Sequence, residues 1–152
     1  MRPLLLAVLL AGAGCATAPI EVPNFALTFG VARAPTIVLI SPSWSDRGLA
    51  MLEQIRTVKR KYQGLQVVMV VMDDLPIKSW NMAVKALNIP GIARRSQGLG
   101  LETKPYGPIR EVPVVFWVSE DQFIVQRGVG FIEAKLFEEQ TRLLMEEPAW
   151  SG

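Results

Sequence analysis

Histidine is missing from this sequence altogether, and cysteine occurs once in 152 residues. A structural zinc site takes about four nitrogen or sulfur ligands, so zinc is not expected. No Ser–His or Cys–His catalytic pair can be assembled, because the imidazole that would serve as base is absent. A disulfide within the chain would need a second cysteine and is excluded. Charge of one sign is also scarce: 16 Lys and Arg stand against 14 Asp and Glu, a net +2. Arg2 is the only charged side chain before Cys15, so losing that segment would shrink the excess further. A balance so near neutrality does not argue for a nucleic-acid partner. Long hydrophobic runs are lacking too. The apolar stretch Leu4 to Leu10 is far shorter than the ~20 residues that cross a bilayer as a helix.

What is present is apolar material, half of the residues, enough for one domain with a sizeable core. The opening "MRPLLLAVLLAGAGCATAP" has a positive end at Arg2, an apolar centre and then small residues, the pattern of an export signal. Cys15 after Gly12-Ala13-Gly14 resembles the lipobox of bacterial lipoproteins, with Gly12 where that motif usually has leucine. The resemblance implies acylation of Cys15 and a membrane anchor in the bacterial envelope, facing the periplasm. Ala16 rather than Asp after the cysteine resembles the outer-membrane sorting signal. The alternative is ordinary cleavage, at Ala11-Gly12-Ala13 or Ala16-Thr17-Ala18, leaving a soluble periplasmic protein. The expected division is a signal peptide at 1–14, a lipidated tether at 15–24, one domain at 25–147 and a short tail at 148–152.

Along the domain, "FALTFG", Phe25 to Gly30, alternates loosely and suggests an edge strand. "TIVLI", Thr36 to Ile40, is apolar throughout, as in strands covered on both faces. Met51, Ile55, Val58 and Tyr62 repeat at helical spacing and predict a helix from about Asp46 to Tyr62. Its first-turn Asp46 and last-turn Lys59, Arg60 and Lys61 match the helix dipole. "QVVMVVM", Gln66 to Met72, predicts a second buried strand, broken by Asp73-Asp74 as a solvated turn. A short helix is expected at about Ile77 to Leu87, stopped by Asn88 and Pro90. Gly91 to Val112 reads as a long irregular loop. "VVFWV", the turn "SEDQ" and a strand from Phe123 read as a hairpin. A final helix at about Ile132 to Met145 would turn Ile132, Leu136 and Leu143 inward, with Glu138 and Arg142 as an i, i+4 pair. Strand–helix–strand–helix followed by hairpin–helix predicts an α/β fold: a mixed sheet of about four to five strands with helices on both faces.

From about Asn24 to Leu144 the chain resembles the thioredoxin-like thiol-disulphide oxidoreductases of bacterial envelopes, the TlpA-like or ResA-like group. "APTIVLISPSWSDRGLAMLEQIRTVKRKYQGLQVVMVVMDD" is similar to that group's first strand, active-site turn, first helix and second strand. "YGPIREVPVVFWVSEDQFIVQRGVGF" is similar to its cis-proline loop and hairpin, with Tyr106-Gly107, Val112-Pro113 and Gly130 at familiar spacings. The resemblance implies a thioredoxin-like fold, a cis bond at Val112-Pro113, and a groove where an extended peptide meets Trp44, Ser45, Asp46, Arg47, Val112 and Pro113. In the group a Cys-x-x-Cys motif follows the tryptophan. Here those four positions are Ser45, Asp46, Arg47 and Gly48.

Thiol–disulfide exchange proceeds by thiolate attack on sulfur, and a helix N-terminus favours the thiolate. A serine hydroxyl with no adjacent base stays protonated at neutral pH, and Gly48 brings no side chain to the resolving position. Ser45 has a structural role open to it instead, capping the helix, worth about 0.5–2 kcal/mol. Gly48 in a first turn costs up to about 1 kcal/mol against alanine. Trp44 fits either a half-buried core edge or a contact surface. The expectation is a redox-inactive protein without metal or cofactor that binds an envelope protein or extended peptide. The alternatives are an oxidoreductase homologue whose cysteines come from a partner, a glutathione-binding enzyme, and a structural spacer.

Overall fold

The computed structural model describes residues 18–73, 77–86, 88–89, 91–101 and 103–146. Cys15 with its leader, Asp74, Leu87, Pro90 and the 148–152 tail lie outside the described residues. Six strands form one sheet: β1 (Ile20–Glu21), β2 (Thr36–Ser41), β3 (Gln66–Val71), β4 (Ile92–Arg95), β5 (Val114–Val118) and β6 (Phe123–Val129). Their order is β1-β6-β5-β2-β3-β4. β2, β3 and β4 run parallel, while β5 and β6 form an antiparallel hairpin that joins them through β2. Every side chain of β2 is buried, as its uninterrupted apolar run requires for a strand with cover on both sides.

Successive β2 residues point to opposite faces, and two cores follow. Ile37 and Leu39 meet α2 (Asp46–Lys61), α3 (Ile77–Ala86) and α4 (Ala134–Glu146) through Met51, Ile55, Trp80 and Phe137. Val38 and Ile40 meet α1 (Phe25–Phe29) and the loop bearing Leu101 and Tyr106. No helix among the described residues is long and apolar enough to cross a membrane.

Several elements differ from the sequence reading. Phe25 to Gly30 is helical, not an edge strand. Phe25 and Phe29, one turn apart, are both buried with ring centroids 4.8 Å apart, and Gly30 ends the helix in the left-handed region at φ 67°. That conformation suits a residue without Cβ. The edge strand lies earlier, at β1, where Ile20 pairs with Ile124. Val22 is fully buried, so part of the stretch read as tether belongs to the domain. The Gly91 to Val112 segment is not wholly irregular: its start, β4, pairs with β3. β1 and β4 bring the count above the four to five strands expected.

In α4 the buried residues are Phe137, Gln140, Thr141 and Leu144, whereas Leu136 is exposed and Leu143 only half-buried. The inward stripe therefore runs through 137, 141 and 144. Trp117 fixes that phase by donating its indole N–H to Thr141 Oγ1 at 3.1 Å. Arg142 pairs with Glu139 and Glu146 rather than with Glu138, and Glu138 reaches across to Lys61 on α2. Tyr106 stands edge-on to Phe29 and Phe116, both centroids 6.0 Å away, and burial pushes its phenol pKa up to about 12.

Candidate functional site

The carboxyl end of β2 passes through Pro42, Ser43 and Trp44 into α2. Ser45 is the N-cap: its backbone is extended, and its Oγ accepts the Gly48 N–H at 3.1 Å. Its carbonyl accepts the Leu49 N–H at 2.9 Å. The cap satisfies donors that a helix start leaves without partners. Ser45 is buried, and its hydroxyl oxygen is committed to the helix start. Asp46 and Arg47 on the next two positions are exposed.

Ile40 pairs with Val114 in the neighbouring strand, which sets Pro113 at the same end of the sheet as the β2–α2 turn. The Val112–Pro113 peptide bond is cis. Pro113 is buried and Val112 half-buried. Val114 also pairs with Val129, and the Pro113 carbonyl accepts the Gly130 N–H at 2.8 Å. The fold thus gathers the β2–α2 turn, the 112–113 loop and the end of β6 at one edge. Large apolar side chains stay in solvent here: Trp44 is 68% exposed, Phe131 52% and Val129 43%. Trp44 is therefore a surface residue, not a core edge. Trp44 through Gly48 and Val112-Pro113, singled out in the sequence, come together at this end. Val129 and Phe131 went unread, because only the pairing of Val129 with Val114 and the bond from Gly130 to the Pro113 carbonyl bring that stretch to Pro113.

The turn has a clamp that the sequence did not disclose. Asp73, expected in a solvated turn, accepts the Ser43 N–H at 3.0 Å and the Ser43 hydroxyl at 2.5 Å. Burial pushes the carboxyl pKa up, but the bonds from Ser43 outweigh it and hold the carboxyl below the usual range. Hydrogen bonds to the charged form have that effect. The clamp joins the loop after β3 to the one before Trp44.

Gly48 lies directly against β2. A Cβ placed on it would stand 2.1 Å from Ser41 Oγ and 2.9 Å from Ser41 Cβ. Among the described residues no group of three or more acidic or cysteine side chains could hold a metal ion. An open depression of about 450 Å³, lined by Val84, Lys85, Asn88 and Ile89 among others, lies between α3 and β4 and includes none of the residues of the turn.

Solved structures share this architecture. A thiol:disulfide interchange protein of the thioredoxin family from Chlorobium tepidum matches with a TM-score of 0.70, at 13% identity, over 86% of this chain and 99% of its own. StoA from Bacillus subtilis matches at 0.57, with 18% identity, over 72% and 84%. A secreted Mycobacterium tuberculosis disulfide oxidoreductase homologous to Escherichia coli DsbE matches at 0.58, with 10% identity, over 76% and 85%. At such identities the likeness is one of fold, and the fold is thioredoxin-like. No protein-family model and no curated protein matches the sequence.

Proposed function

We propose that this chain is a redox-inactive, thioredoxin-like lipoprotein of the bacterial envelope that binds an extended protein segment at the Trp44–Pro113 edge. The observation that carries the reading is a turn whose serine hydroxyl is taken up by the helix cap, at the same end of the sheet as large apolar side chains left in solvent. The Ser45 hydroxyl serves the helix cap and position 48 has no side chain, yet Trp44, Val129 and Phe131, at the same end of the sheet as Pro113, remain in water. Exposed apolar groups clustered at one edge mark an interaction site. An extended segment crossing there would cover them, with Asp46 and Arg47 at the rim. The export signal and the lipobox-like Cys15 support the envelope and its membrane anchor, and the secreted Mycobacterium tuberculosis relative in fold agrees with an exported protein. A purely structural spacer would leave the exposed tryptophan without a purpose.

The test has two arms. A photo-crosslinking side chain at Arg47 in cells should trap a defined protein adduct that disappears on Trp44→Ala, while the melting temperature hardly moves. An adduct pattern indifferent to Trp44→Ala would rule out binding at this edge. The purified chain carrying Cys15→Ser should not accelerate insulin reduction by dithiothreitol. Turnover above the reagent's own rate would restore an enzyme reading.

A further inference from the structure

Gly48 is not required by backbone conformation: it lies in the first turn of α2 and is absent from the glycines with positive φ. Elsewhere such a glycine would be improved by alanine, the better helix former. What forbids a side chain here is Ser41. Its Oγ would sit 2.1 Å from an added Cβ and its own Cβ 2.9 Å away. Turning the hydroxyl would relieve the first contact but not the second. Ser41 cannot easily retreat. It is fully buried, its hydroxyl donates to the Pro42 carbonyl at 2.9 Å, and its backbone is tied to β3 through the Val71 register and a bond from the Met72 N–H at 3.2 Å.

We infer that Ser41 is the residue that closes position 48 to every side chain, a thiol included, so that Ser41 and Gly48 form one interlocking pair. On the redox-inactive reading proposed above, position 48 is then kept free of a thiol by a third residue, beyond Ser45 and Gly48 themselves. Introducing cysteines at 45 and 48 alone would press the second sulfur-bearing side chain into β2. The inference goes beyond the proposed binding role and stands on packing, so the crosslinking test can fail without touching it.

A double-mutant cycle on the full domain tests it through a change of sign. Gly48→Ala should lower the melting temperature by roughly 3–10 °C, the effect of an overpacked methyl in a chain of this size. In a Ser41→Gly background the same Gly48→Ala change should raise it, because only helix propensity is left to act. Ser41→Ala, which keeps the Cβ, should rescue only in part. Gly48→Cys should show the same loss and the same rescue. If Gly48→Ala does not fold, recovery of a folded chain by added Ser41→Gly is the supporting result, and no recovery overturns the inference. It is equally overturned if Gly48→Ala melts at or above the parent temperature, or if its effect is the same with and without Ser41.

Discussion

The Asp73 carboxylate takes both donors of Ser43 and so braces the turn that displays Trp44. Hydrogen bonds to a charged group contribute about 1.5–3 kcal/mol when well shielded; Asp73 is partly in water, so about 1–2 kcal/mol is expected here. Because the folded carboxyl has a lowered pKa, this contribution is present above the usual carboxylate range and fades as pH falls through the folded value. Urea unfolding should therefore show Asp73→Asn less stable than the parent by that amount at pH 7, with the gap narrowing below pH ~4. A gap that stays constant down to pH ~3 would mean the carboxylate is not the braced group. This contact spans 30 positions in sequence, and nothing local to Asp73 announces Ser43. The tryptophan and the four residues after it were legible because they sit in one contiguous word. The Ser41–Gly48 interlock was not, since it depends on how α2 lies on β2.

Helices are read from periodicity, and periodicity gives a face only to within one residue. In α4 both Leu136 and Phe137 are apolar, and the tryptophan–threonine bond selects the stripe that contains Phe137. Truncating fully buried Phe137 to alanine should cost about 3–5 kcal/mol, while Leu136→Ala, at 40% exposure, should stay within about 1 kcal/mol. Equal losses in urea denaturation would reverse the assigned phase. The long apolar strands were legible because an unbroken β-branched run has few other uses. α1 was not: five residues are too few to show a helical period, and the two phenylalanines that define it could equally have alternated on a strand. β4 escaped notice for a related reason. Its four residues, Ile92–Arg95, carry two arginines, and only pairing with β3 makes them a strand.

At the scale of the molecule, parallel strands joined by helices fix where the turn and the 112–113 loop must meet, and that much follows from element order. Where the domain begins does not. β1 pairs from Ile20 onward, so the step from Cys15 to the first strand can stretch at most about 17 Å, five residues at ~3.5 Å each. For a chain acylated at Cys15, energy transfer from a dye at Leu27, itself 81% exposed, to acceptor lipid in vesicles should be strong. It should drop when 20 flexible residues are inserted before Ala18, and equal transfer with and without the insertion would contradict a close tether. Moored on so short a line, the domain would patrol only the skin of the bilayer. If such a chain grips a segment at the Trp44 edge as proposed, that segment would have to come within arm's length of the lipid.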